Sequence, residues 1–371
     1  MLFIASTIAL DILPLNSWLN TDNKPVVIAG PCSAETEEQV HEVARGLAQI
    51  PQVKVMRAGI WKPRTRPGSF EGMGSVALPW LVDAAKQNGL LSACEIATPK
   101  HVEEALKAGV DVLWIGARTT VNPFSVQDIA DALQGVDVPV MVKNPVAPDL
   151  QLWIGAIERV ASAGINKIIG VHRGFQTIAK TKYRNNPLWE LAIEFKTHLP
   201  GVPLFVDPSH IAGKAELVAD VAQKALDMDM DGLMIETHPN PANALSDARQ
   251  QITPAELAQL VSSLELRSAN SNNLEFQSRL EELRSIMDSI DEEILRVIAR
   301  RMAIAEKIGE YKYQNHVTIL QIKRWKEILA TRTAIGNSVG LDEEFVKALM
   351  QLIHKESIHV QTELVRKQEG E

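Results

Sequence analysis

Two cysteines in 371 residues, Cys32 and Cys94, give no disulfide framework and fit a reducing cytoplasm. Positive charge is not in excess: the net charge is −8, which argues against general binding of nucleic acid. No apolar run is long enough to cross a membrane. The opening "MLFIASTIALDILPL" is apolar, but Asp11 interrupts it and no Lys or Arg precedes Lys24. It lacks the basic start of a signal peptide and reads as a docking segment or a frayed extension. Proline is absent after Pro254, so the last third of the chain lacks the usual helix breaker.

What is present is a large apolar fraction, 46%, in a chain long enough for two domains. Between about residues 24 and 260, eight short apolar runs alternate with helical stretches. The runs are "PVVIAG", "VKVMRAG", "LLSACE", "VLWIGA", "PVMVKN", "KIIGVH", "PLFVDP" and "GLMIET". Several are apolar without alternation, as in parallel strands buried on both faces. Eight strand–helix repeats predict an α/β fold, a (β/α)8 TIM barrel over residues 1–265; an open doubly wound sheet is the runner-up. The polar "RSANSNN" then reads as part of a linker, 266–274. From residue 275 to 371 apolar residues recur at helical spacing, at Leu280, Leu283, Met287, Ile290, Ile294, Val297 and Ile298. This predicts an all-α domain of three helices. The first runs to about Tyr313, and the others start near Leu320 and Asp342. So thin a bundle calls for dimerisation.

In such a barrel the chemistry sits at the C-terminal ends of the strands. Every run here ends in a polar or ionisable group: Cys32, Arg57 with "WKPRTRP", Glu95, Arg118, Lys143, His172 with Arg173, Asp207 with His210, and Glu236 followed by His238 and Asp247. A lone buried cysteine is ordinarily a small hydrophobe. Cys32, His210, Glu236 and Asp247, however, form a mixed sulfur, nitrogen and oxygen set suited to a divalent transition metal. Arg57, Lys62, Arg64, Arg118, Lys143 and Arg173 are six cations around one mouth. They repel one another unless an anion compensates them, and phosphate is the natural one.

The motifs "AGPCS", "KPRT", "VKN", "HRG", "DPSH" and "IETHPNP…SD" resemble the metal-dependent 3-deoxy-D-arabino-heptulosonate 7-phosphate (DAHP) synthases of the barrel-only branch, over roughly residues 14 to 265. The resemblance implies that Cys32, His210, Glu236 and Asp247 bind the metal, which could be Mn, Fe, Co or Zn, and leaves Cys94 as core. It implies condensation of phosphoenolpyruvate with erythrose 4-phosphate. Arg118, Lys143 and Arg173 would take the phosphoenolpyruvate phosphate, and Arg57 and Lys62 its carboxylate and reacting carbon. Arg64 and Thr65 would hold the aldose phosphate. Lys62 is a candidate proton donor, or a purely electrostatic one, and Glu95 is a candidate for positioning water. His172, His238 and Asp207 are expected to support the metal ligands. The related 3-deoxy-octulosonate 8-phosphate synthases lack "KPRT", which favours the four-carbon aldose.

The tail, over about 275–366, resembles the all-helical chorismate mutases through "LRSIMDSIDEEILRVIARRMAIAEKIGEYK". Carried over residue by residue, Arg284 from the opposite subunit and Arg301 would grip the two carboxylates of chorismate. Lys312 and Gln361 would face the ether oxygen, with Arg324 and Ser357 completing the pocket and prephenate the product. Gln321 and Trp325 depart from the pattern, since carboxylates are common at both positions. A non-catalytic chorismate or prephenate sensor, or a bare dimerisation bundle, is the alternative.

Overall fold

A computed structural model describes residues 9–62, 68, 70–178, 181–268 and 271–369. Eight parallel strands form the first unit: β1 Val26–Gly30, β2 Val53–Ala58, β3 Leu91–Ile96, β4 Val112–Ile115, β5 Val140–Lys143, β6 Ile168–His172, β7 Leu204–Val206 and β8 Gly232–Glu236. Each pairs with the next, and β8 pairs with β1 from Val26↔Gly232 to Gly30↔Glu236, closing the barrel. Gly30 lies where β1 runs against β2; a Cβ there would overlap the Arg57 carbonyl.

Because side chains alternate along a strand, each β-strand feeds two cores. The inward set, Val26, Ile28, Val55, Ala93, Val112, Trp114, Met141, Ile169, Val171, Phe205 and Met234, fills the barrel. Leu19 joins it, with Leu15 and Trp18 packed alongside. The outward set packs under the helices with residues such as Val43, Leu81, Trp153 and Phe195. Each fully buried Val, Leu or Ile contributes about 1.5–3 kcal/mol. Side-chain caps at Thr36, Thr98, Asn122, Asp149 and Thr253 start the surrounding helices by accepting otherwise unpaired backbone N–H groups. The inward parity, continued beyond the last apolar layer, reaches Arg57, Glu95, Lys143, Arg173, Asp207 and Glu236. The strand period therefore aims these side chains at one mouth.

The chain forms two compact units, residues 1–269 and 270–371. The second unit has three helices, Leu274–Gln314, Ile322–Ser338 and Glu343–Glu369, within a few residues of the spacing-based expectation. The third helix packs on the C-terminal part of the first at Ala305 and Gly309, where a Cβ on Gly309 would press on Gln361. The N-terminal half of the first helix has an apolar stripe left open within one chain. Leu283 is 47% exposed, Met287 63%, Ile290 52% and Ile294 50%. Among the described residues no helix is long and apolar enough to cross a membrane.

Candidate active site

The loops after the strands bring Cys32, Glu236 and Asp247 together. Their sulfur and carboxylate oxygens lie within 4.8 Å of one another, with Cys32 and Glu236 buried and Asp247 half-buried. One divalent transition metal can span such a donor set, so these residues fit the expected ion. His210 stands at its margin. Its Nε2 is 3.9 Å from Glu236 Oε1, while its Nδ1 is 2.8 Å from Asp207 Oδ2. Lys62 Nζ donates to the Cys32 carbonyl at 2.7 Å and to its Sγ at 3.1 Å.

Electrostatics follow from burial and neighbours. Burial, with Glu236 adding to it, pushes the Cys32 thiol up to about 11, so an arriving metal must displace its proton. Burial alone would raise the Glu236 carboxyl, but His210 and Arg57 outweigh it and hold the group below its ordinary range. Asp247 is pulled down to about 2 because His210, Arg184 and Lys62 overcome its burial. The two carboxylates thus reach neutral pH ionised, while the thiol does not.

The cations converge as expected. Arg57, Lys62, Arg118, Lys143 and Arg173 line one cavity with Glu95, Arg184 and His210. Arg57 is 1% exposed, bonds Glu236 Oε1 at 2.9 Å and sits 4.9 Å over the Trp114 ring. Lys143 pairs with Asp207 Oδ2 at 2.8 Å. Burial drives the Arg173 guanidinium down to about 10, and nearby Arg184 and Arg118 add to the effect. That crowding is the repulsion an anion would relieve. Gly116 gives Glu95 its space, since a Cβ there would overlap the Glu95 carboxylate. Arg64 and Thr65 lie outside the described residues.

Of the three expected supports, His172 faces away from the mouth; it is off the inward parity and points into the rings of Trp153, Phe175 and Trp189. Asp207 lies beside the expected ligand His210, accepting from the His210 backbone N–H at 2.9 Å and from Lys143 Nζ at 2.8 Å. His238 Nε2 is 3.5 Å from Glu35 Oε2 and outside the metal cluster. Sequence reasoning missed Arg184, Asn185, Gln250 and Gln251. Arg184 Nη1 reaches Asp247 Oδ1 at 3.0 Å, and Asn185 Oδ1 accepts from Arg173 Nη1 at 2.8 Å. These residues sit in loops with no period to betray them.

In the helical unit Arg301 Nη1 donates to Ser357 Oγ, and Gln361 Nε2 to the Ser357 carbonyl at 3.0 Å. Gln361 Oε1 is buried without a partner among the described residues. Burial and Arg332 depress the Arg301 guanidinium, and burial depresses Lys312, which donates to the Ile319 carbonyl. Arg324 Nη1 is 3.3 Å from Glu327 Oε2 on the exposed side of its helix. Trp325 stacks on His354 with ring centroids 4.0 Å apart. Gln321 is the N-cap residue of the second helix. Arg284, 63% exposed at its side chain, lies about 26 Å up the same helix from Arg301 by the helical rise, so one chain does not bring the two together.

The DAHP synthetase I family model matches residues 16–270, and the chorismate mutase type II model matches residues 283–362. A phospho-2-dehydro-3-deoxyheptonate aldolase of Thermotoga maritima is 34% identical over 230 residues, 61% of this chain and 64% of its own length. This chain therefore spans less than two thirds of that relative. A 2-dehydro-3-deoxyphosphooctonate aldolase of Azoarcus sp. is 30% identical over 247 residues, 61% of this chain and 84% of its own. The crystal structure of the Thermotoga maritima phospho-2-dehydro-3-deoxyheptonate aldolase (DAHP synthase) superposes with a TM-score of 0.58 at 30% identity. It covers 64% of this chain and 67% of that one.

Proposed function

This chain belongs to the DAHP synthetase I family and carries a chorismate mutase type II domain behind its barrel, and from that premise we propose that it has two activities. The barrel condenses phosphoenolpyruvate with erythrose 4-phosphate, releasing phosphate. The observation that carries this is the meeting of five cations with a cysteine–carboxylate cluster at one barrel mouth.

Cys32, Glu236 and Asp247, with His210 at their margin, would hold a divalent metal, which would supply Lewis-acid polarisation of an aldehyde oxygen. The chain's own residues do the rest. Arg118, Lys143 and Arg173 bind the phosphoenolpyruvate phosphate. Arg57 and Lys62 hold its carboxylate and reacting carbon, and Lys62 is the candidate to deliver a proton or to stabilise the developing alkoxide. Glu95 positions the water that adds as phosphate leaves. Arg64 and Thr65 hold the aldose phosphate.

The second reading of the barrel, a 3-deoxy-octulosonate 8-phosphate synthase that takes a five-carbon aldose phosphate, is favoured by the 2-dehydro-3-deoxyphosphooctonate aldolase relatives. "WKPRT" speaks for the shorter aldose. A coupled phosphate-release assay with phosphoenolpyruvate and either erythrose 4-phosphate or a five-carbon aldose phosphate separates the two. Turnover with the five-carbon aldose alone would overturn the first reading.

The helical domain rearranges chorismate to prephenate as a dimer. The open stripe from Leu283 to Ile294 supports a second copy, which would bring its Arg284 to the pocket of Arg301, Lys312 and Gln361. The ether C–O bond breaks as the new C–C bond forms within the substrate, so no covalent intermediate with the protein is needed, only a held conformer and charge stabilisation at the ether oxygen. Chorismate or prephenate in that pocket is also the inhibitor of the barrel, with a coupling of about 1–3 kcal/mol. Cleavage near Ala269 should release the barrel from inhibition. A free barrel as sensitive to prephenate as the full chain would contradict this regulation.

A further inference from the structure

Gln250 and Gln251, consecutive in the loop after β8, are each 1% exposed and take no part in the chemistry above. All four of their amide heavy atoms have polar partners. Gln250 Nε2 donates to Glu236 Oε2 at 2.6 Å, and Gln250 Oε1 accepts from Arg184 Nη1 at 2.7 Å. The same Nη1 is 3.0 Å from Asp247 Oδ1. Gln251 Oε1 accepts from the Cys32 backbone N–H at 2.9 Å, and Gln251 Nε2 donates to the Ser246 carbonyl at 2.9 Å. Glu236 and the Ser246 carbonyl only accept, and Arg184 and the Cys32 N–H only donate, so each amide has one orientation. One dipeptide thus ties to Glu236 directly, to Cys32 through its backbone, and to Asp247 through Arg184 and Ser246.

Asp247 needs such ties. Its backbone is in the left-handed region, at φ 47°, which costs a non-glycine residue stability and persists only when its surroundings hold it. Glu236 and Asp247 are also two carboxylates close together, which repel before a cation arrives.

We propose that Gln250 and Gln251 are positioning residues for the metal centre, holding Cys32, Glu236 and Asp247 at chelating separation ahead of the ion. The proposal rests on the metal reading above. Outer partners of this kind are worth roughly 10- to 100-fold in metal affinity. The test is a Co2+ titration of the full-length chain stripped of metal, followed through the thiolate-to-cobalt charge-transfer band that Cys32 would give. Gln250→Met and Gln251→Met keep the volume and lose the hydrogen bonds. Each should raise the Co2+ dissociation constant about 10- to 100-fold, with the far-UV spectrum and the mutase turnover unchanged. Should either fail to fold, Gln250→Asn and Gln251→Asn keep the amide but fall one methylene short, and should weaken binding in the same range. Folded variants whose dissociation constants stay within about twofold of the unsubstituted chain overturn the proposal. A different failure marks the metal reading itself: no band in the unsubstituted chain, or a band that survives Cys32→Ser.

Discussion

The two units build their sites in opposite ways. The barrel closes on itself, buries its strands on both faces and assembles its cluster within one chain. The helical unit buries little of its first helix and leaves an apolar stripe and Arg284 open. In a closed barrel the period of two decides which residues reach the mouth, and fixed partners hold the buried charges against the cost of burial. In a thin bundle the period of 3.6 aligns a face but does not supply what covers it. One site should therefore be sensitive to metal and to acid, and the other to its cations and its oligomeric state.

The sharpest way to break the contrast is Cys32→Ser. Losing a donor in the cluster should cost more than the roughly 100-fold upper range of its outer partners, so phosphate release from phosphoenolpyruvate should fall by over about 100-fold. Chorismate turnover should not change. A parallel loss of both would mean that the sites are not separate.

Arg301→Ala reverses the test. A charge-assisted hydrogen bond contributes about 1.5–3 kcal/mol, so mutase kcat/KM should fall roughly 10- to 150-fold. Condensation measured without prephenate should stay at its full rate, and inhibition by prephenate should weaken with the mutase. Intact inhibition in this variant would place the inhibitor elsewhere.

A smaller effect sharpens the difference in burial. His172 lies among three aromatic rings, and burial pushes its imidazole down to about 3 from an ordinary 6.5. Below pH 6.5 the unfolded chain takes up a proton that the folded barrel refuses. The stability involved is fully present above that pH and declines by about 1.4 kcal/mol per unit as the pH falls toward 3. Between pH 6.5 and 5 the barrel should lose about 2 kcal/mol by urea titration, and His172→Phe should remove most of that loss. Equal slopes in the two proteins would show that the ring is not buried neutral.

The barrel was legible because its signal is periodic. Eight apolar runs fixed the strands, and the residue at the end of each run fell at the mouth whenever it kept the inward parity, as Arg57, Lys143 and Glu236 do. His172 shows the limit, since it is one residue out of phase and faces the outer core. Arg184, Gln250 and Gln251 were not legible at all. They act from loops, where no period marks a side chain and only the closed structure brings residue 184 to residue 247. In the tail the helices were readable to within a few residues. What covers Leu283, Met287 and Ile290 is not written in one chain's pattern, because a stripe facing a partner and a stripe facing a core look the same in sequence.

On the proposed function, one chain carries a metal-dependent condensation in its barrel and a metal-free rearrangement in its helices. Both activities can be followed in one sample of the full-length protein, before and after treatment with a strong chelator and again after readdition of Mn2+ or Co2+. Condensation should disappear with the chelator and return with the metal, while chorismate turnover stays constant throughout. Condensation that persists in the thoroughly chelated protein, or mutase turnover that falls with it, would rule out this division between barrel and helices.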